Sequence, residues 1–178
     1  MFDKNNFLEK WKPWKLYGIV PMVDIDEQIN IDYGVDAANG EIYSFKYGRM
    51  RKKKINYNRG KAPQNVKRNY ARFGITMHGK DLNKFVHRVV AETLTFWGLM
   101  PLPLDKNHPP AGVSVEDWAA AGEAGQRVIK QSLFVDHIDN NPMNYHPTNL
   151  RWTTAKQNAI FYQNEQKYIG KEIATLPV

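Results

Sequence analysis

Val135-Asp136-His137-Ile138-Asp139-Asn140-Asn141, then Asn149-Leu150-Arg151-Trp152, then Ala155-Lys156-Gln157-Asn158, is the stretch that decides how this 178-residue sequence folds. Residues 133–135 are a brief apolar strand that delivers an acid and a histidine side by side. A turn-rich loop of eleven residues, 138–148, follows. Residues 150–152 form the returning strand, and a helix starts near Thr153 or Thr154 and runs past Tyr162. Strand, loop, strand and helix bring Asp136 and Asn158 together as oxygen ligands for one divalent cation. Mg2+ suits such a pair, because it is typically held by one or two protein oxygens plus phosphate and water. Asp139, Asn140 and Asn141 are turn-forming residue types and are expected to shape the loop rather than bind metal.

Upstream, residues 1–27 start irregularly and pass into an apolar strand at 18–23. Ile29, Ile31 and Tyr33 alternate with polar residues, the period of a half-buried strand. Asn39-Gly40 is a tight-turn dipeptide, with 41–45 as the returning strand. Residues 46–72 carry Gly48, Gly60 and Pro63 and no sustained apolar period, so they read as a long loop or open hairpin. Residues 72–77 and 82–86 pair around a turn at 78–81. From Val86 the period changes: Val86, Val89, Val90, Leu94 and Trp97 recur at helical steps, and Gly98 and Pro101 end the helix. Proline-rich residues 99–114 form a linker, and Ser114-Val115-Glu116-Asp117 resembles a capping box opening a short helix. His87, at a helix start on the apolar side, is expected to make a structural hydrogen bond. His78, His108 and His146 lie in loops or the linker and take no role, and Trp152 and Phe161 are expected core residues.

Charge is distributed unevenly. Residues 46–88 hold 14 Lys and Arg and one acid, Asp81, a balance of +13, whereas the net charge of the chain is +7. A basic segment on a mildly acidic body is the electrostatic footprint of a nucleic-acid binder. Tyr47, Tyr57, Tyr70 and Phe73 are interleaved with the cations, beside Asn56, Asn58, Gln64 and Asn69, groups that reach phosphates, sugars or bases. The expected DNA-contacting cations are Arg49, Arg51, Lys52, Lys53, Lys54, Arg59, Lys61, Lys67, Arg68, Arg72, Arg151 and Lys156. The sequence has no cysteine, which excludes disulfides, zinc ribbons and thiol catalysis and fits a reducing cytoplasm. No segment has the apolar length of a signal peptide or a membrane span, so a soluble cytoplasmic protein is expected.

The Asp-His-Ile-Asp, Asn-Leu-Arg-Trp and Asn158 pattern resembles that of the HNH endonucleases, also called His-Me finger or ββα-metal nucleases, in the phage and intron-encoded homing type. The resemblance is close over about residues 132–165. Val86-His87-Arg88-Val89-Val90-Ala91-Glu92 is similar to the family's His-Arg-Leu-Val-Ala-Glu helix. Trp11-Lys12 and Tyr33 with Asn39-Gly40-Glu41-Ile42-Tyr43-Ser44 more weakly resemble a module that often precedes such nucleases. The resemblance implies that His137 is the general base, that Asp136 and Asn158 bind Mg2+ or Mn2+, and that Asn149 pins the loop and orients His137. Two departures stand out: the family's last histidine is Asn158 here, and residues 99–131 look like an insertion. Homing relatives often carry a further helical DNA-binding domain. Only about twenty residues follow Asn158, so recognition is expected to come mostly from residues 1–90.

The expectation is an α+β protein. A strand-rich DNA-binding region at 1–98 ends in a helix, 99–131 is a linker or insertion with a short helix, and 132–178 is the ββα-metal finger. Its partner is expected to be double-stranded DNA, with no membrane and no small-molecule cofactor, and with the oligomeric state left open. Charge alone does not separate DNA from RNA. The competing class is a binding protein that keeps the finger as scaffold, against which stands the presence of all four site residues.

Overall fold

The computed structural model describes residues 17–23, 29–46, 49–57, 70–77, 80–105 and 107–174. It is a mixed helix and sheet protein with three antiparallel sheets among those residues. Strands β1 (Ile19–Val23), β2 (Ile29–Asp36), β3 (Ile42–Ser44) and β4 (Arg51–Lys52) form the first sheet in that order. The second contains β5 (Asn56–Tyr57), β6 (Ala71–Met77) and β7 (Lys80–Phe85), and the third contains β8 (Phe134–His137) and β9 (Leu150–Thr153). Four helices accompany them: α1 (Val86–Phe96), α2 (Val115–Ala120), α3 (Gly122–Gln131) and α4 (Ala155–Ala174). No helix among the described residues is long and apolar enough to cross a membrane.

Helix α1 is the spine. Val86, Val89, Val90 and Leu94 recur on one stripe and are all buried. They share one core with Met22, Tyr33, Val35 and Ile42 of the first sheet, Ala71, Phe73 and Ile75 of the second, Leu150 and Trp152 of the third, and Leu133 just before it. Met100, Leu104 and Trp118 from the 99–131 segment join the same core. Polar bonds fix the helix as well. Thr93 Oγ1 accepts from the Val23 amide at 3.0 Å, and the Trp97 and Trp152 indoles donate to Pro21 O at 2.9 Å and to Thr95 Oγ1 at 2.8 Å. Arg88 donates to Leu133 O at 2.7 Å, which ties α1 to the residue before β8.

The 99–131 segment contains more structure than a linker with one short helix. Ser114 caps α2 by accepting from the Asp117 amide at 3.0 Å, as the capping pattern requires. A second helix, α3, follows at once. Gly122 and Gly125 weaken its helical signal, and none of its residues is fully buried, although Ile129 packs against the main core. Ala111 pairs with Thr153, its amide donating to Trp152 O at 2.9 Å, and lays the segment against the end of β9.

The turn after β2 also differs from expectation. A two-residue turn on Asn39-Gly40 would need positive φ at both residues, yet among the described non-glycine residues only Asn140 has one. The hairpin instead closes a longer loop: the Asp36 amide donates to Glu41 O at 2.9 Å, and the Asp36 carboxylate accepts from the Ala38 and Asn39 amides at 2.8 and 3.3 Å. Gly40 has φ +71°, and a Cβ there would lie 2.7 Å from Tyr145 O and 3.3 Å from Pro147 Cδ. The N-terminal hairpin thus docks directly on the loop between β8 and β9. A side chain in the left-handed region costs about 1–2 kcal/mol, and each kcal/mol lowers Tm by roughly 2–4 °C in a domain of this size. Gly40→Ala is therefore predicted to lower Tm by about 2–8 °C in a thermal melt. An unchanged Tm would mean the hairpin and loop are not in register.

Candidate active site

The site grows from the β8–β9 register, in which Asp136 faces Arg151 and His137 faces Leu150. Asp136 is mostly buried, and its Oδ2 accepts from both Nε and Nη2 of Arg151 at 2.8 Å. The Arg151 guanidinium lies 3.5 Å from the Phe161 ring centroid, so α4 helps hold the cation in place. Arg151 is therefore engaged by both Asp136 and Phe161. Phe161 itself is half-buried beneath that cation rather than in the core. The other Asp136 oxygen has no hydrogen bond among the described residues.

His137 closes β8 and is buried, at 5% exposure. Its ring packs edge-on against His87 at 4.8 Å and lies 6.0 Å from Tyr70. Burial lowers the His137 pKa from its ordinary value, more than the nearby charges of Asp136 and Asp139 raise it. The ring is thus held neutral, the form that accepts a proton.

The loop after His137 is clasped by Asn149, which the 3-10 turn Pro147–Asn149 delivers at the start of β9. Asn149 Oδ1 accepts from the Asp139 amide at 3.0 Å. Its Nδ2 donates to Asp139 Oδ1 and to Asn144 O, each at 2.8 Å. Its backbone oxygen accepts from the Ile138 amide at 2.8 Å. Asp139 is filled by these partners: Oδ1 also accepts from the Asn141 amide at 2.9 Å, and Oδ2 from Asn144 Nδ2 at 2.6 Å. Burial alone would raise the Asp139 carboxyl, but the donors from Asn144, Asn141 and Asn149 together hold it below the usual carboxylate range. Asn140 takes φ 54°, the left-handed conformation that asparagine tolerates. Residues 139–141 thus build the turn.

Asn158 stands one turn into α4, its amide donating to Thr154 O at 2.9 Å. Its half-buried carboxamide has no hydrogen bond among the described residues. No group of three or more His, Asp or Glu side chains among them is arranged to hold a metal. A divalent ion here would have to be completed by water and phosphate, which Mg2+ accepts and a closed zinc site does not.

The basic side chains divide by environment. Arg49, Arg51 and Lys54 are exposed, and so is Lys156 on the first turn of α4. Lys52 pairs with Glu41, Lys53 lies 5.6 Å from the Tyr33 ring, and Arg72 lies 4.1 Å from the Phe85 ring. Arg59, Lys61, Lys67 and Arg68 lie outside the described residues. The structure adds two rings that sequence spacing did not bring to the site, His87 and Tyr70. Their sequence signals were the resemblance of the Val86–Glu92 stretch, which contains His87, and the place of Tyr70 among the aromatics of the basic segment.

A two-stranded sheet and a helix that present an acid–histidine pair, a loop-clasping asparagine and a second asparagine define a ββα finger. Residues 120–160 match the family model described as HNH endonuclease. A solved structure titled "DNA binding and cleavage by the HNH homing endonuclease I-HmuI" is 27% identical. The match covers 89% of this chain and 62% of that one, with a TM-score of 0.45. This chain thus spans less than two thirds of that protein's length. No curated protein matches the sequence.

The hydrogen bonds of Asn149 set a prediction. Asn149→Ala removes its buried bonds and should cost about 1–3 kcal/mol of unfolding free energy. Asn149→Asp, expected to be the milder change if packing alone mattered, instead sets a second carboxylate against Asp139. Repulsion raises the folded-state pKa of the new carboxyl, so its destabilisation is present at neutral pH and eases as acid protonates it. Denaturant melts at neutral and acidic pH check this. An Asp variant more stable than the Ala variant at neutral pH would contradict it.

Proposed function

We propose that this chain hydrolyses phosphodiester bonds in double-stranded DNA, with His137 as general base and Asp136 and Asn158 holding one Mg2+ or Mn2+. The observation that carries the reading is the finger itself: a neutral, buried His137 beside Asp136, on a loop closed by Asn149. The donor set fits the ion, since Asp136 keeps one carboxylate oxygen and Asn158 its carboxamide without other partners among the described residues. When bound, a divalent ion supplies Lewis acidity to the scissile phosphate and the leaving oxygen.

The chain's own residues supply the rest. Arg151 holds the Asp136 carboxylate at a fixed angle. Asn149 holds the backbone on both sides of the loop, so His137 meets the water in one orientation. His137 accepts the proton of the attacking water, a step worth typically ~10²–10⁴-fold in rate. DNA is gripped mainly by the N-terminal region, with exposed Arg49, Arg51 and Lys54 near the edge strand β4 as the leading phosphate contacts. Lys156 joins them beside the site. Lys52, Lys53 and Arg72 contribute less, because Glu41, Tyr33 and Phe85 already engage them. In biological terms this is a site-specific or homing nuclease or nickase of the phage type.

A supercoiled-plasmid assay tests the reading. Wild type should cut with Mg2+ or Mn2+ and stop in excess chelator. His137→Ala should lose about 10²–10⁴-fold in rate while binding the duplex normally. Full cutting in chelator, or by His137→Ala, would overturn it.

A further inference from the structure

Two polar atoms that this mechanism does not use belong to adjoining rings. His87 Nδ1 and His137 Nε2 are both buried, and neither has a hydrogen-bond partner among the described residues. Buried side-chain polar atoms in folded proteins are nearly always paired, so two orphans on neighbouring rings call for an explanation. The rings stand edge to face, with centroids 4.8 Å apart and an interplanar angle of 61°. Tyr70 and Phe85 wall the pair in, 5.1 and 5.6 Å from the His87 ring. His87 was expected to make an ordinary structural bond, and the structure gives its Nδ1 none.

A general-base histidine is commonly oriented by a group bonded to its second nitrogen, often a carboxylate. Neither nearby acid serves here: Asp136 is held by Arg151, and Asp139 is filled by Asn141, Asn144 and Asn149. Of the polar rings against His137 among the described residues, His87 at 4.8 Å is nearer than Tyr70 at 6.0 Å. We propose that His87 is the positioning residue of the general base: a small rotation of the two rings, which stand edge to face without this bond in the structure, lets its Nδ1 accept a hydrogen bond from Nε2–H of His137. This rests on the reading of His137 as base given above. The bond fixes the His137 tautomer so that the lone pair is on Nδ1. The attacking water gives its proton to that nitrogen, its oxygen bonds to phosphorus, and the bond from phosphorus to the 3′ oxygen breaks. The charge gained by the His137 ring then strengthens the Nε2–H···Nδ1 bond, because its donor has become cationic. Burial, reinforced by the charges of His137 and Arg88, lowers the His87 pKa to about 3, so His87 stays a neutral acceptor throughout.

Nitrogen-15 NMR of the wild-type protein tests the bond without needing catalysis. It should show an Nε2 proton on His137 protected from exchange, and a coupling across the bond to His87 Nδ1. A proton on His87 Nδ1, or a freely exchanging His137, would overturn the proposal. In the plasmid assay, His87→Leu should lower kcat by roughly 10–100-fold, with KM for the duplex within about twofold of wild type. His87→Asn, which places an acceptor oxygen near the lost nitrogen, should restore most of kcat. Equal rates for the Leu and Asn variants, or a Leu variant as fast as wild type, would overturn it. A wild-type protein that shows the coupling but cuts no DNA would leave the bond standing and sink the reading of His137 as base.

Discussion

The carboxamide of Asn149 is the interaction on which the site depends. It accepts from one side of the 138–148 loop and donates to the other, so one side chain fixes where the chain leaves β8 and where it enters β9. Asp136 and His137 are the last two residues of β8, and Asn158 is carried by the helix that continues β9. Their relative positions follow from that closure. Each of these bonds contributes only about 0.5–1.5 kcal/mol net, but leaving the buried partners unsatisfied costs more than making the bonds gains. The outer face of the loop is held as well: the Gly40 backbone sits where any side chain would strike Tyr145 O. The catalytic loop is clasped from inside by an amide and from outside by a hairpin that belongs to another sheet.

Around this loop the structure keeps its charges engaged. Asp136 has a guanidinium on one oxygen only, and that guanidinium is backed by Phe161. Charge-assisted bonds of this kind are worth roughly 1.5–3 kcal/mol and are directional, so they set the carboxylate angle without closing both oxygens. Asp139 is exposed, but its carboxylate is engaged by donors of its own turn. His137 lies deeper than either acid and is kept neutral chiefly by burial. One acid paired with an arginine, one engaged by the turn and one buried, uncharged histidine are three environments that a local sequence of Asp-His-Ile-Asp does not by itself assign.

Much of this was legible in the sequence where the signal is local. Val86, Val89, Val90 and Leu94 announce α1 because their spacing is helical, and the two strands of the finger read as short apolar runs beside turn-forming asparagines. What escaped was set by tertiary pairing or by weak local propensity. Arg151 looked like a cation for phosphates, and only the β8–β9 register puts it opposite Asp136. His87 is far from His137 in sequence, and only the packing of α1 against β8 makes them neighbours. Helix α3 is short and its glycines argue against a helix, so its local propensity is weak. The Asn39-Gly40 signal marked a turn correctly but not its type, because the Asp36 carboxylate competes for the turn amides and stabilises a longer loop.

The central claim is the proposal that Asp136 and Asn158 share one ion at the scissile phosphate. The most direct measurement is anomalous diffraction from crystals of the protein with Mn2+ and a DNA duplex. The account predicts one strong peak bonded to an oxygen of Asp136 and to the Asn158 carboxamide oxygen, with a DNA phosphate completing its shell. Cleaved DNA in the crystal with the metal bound away from both residues would contradict it.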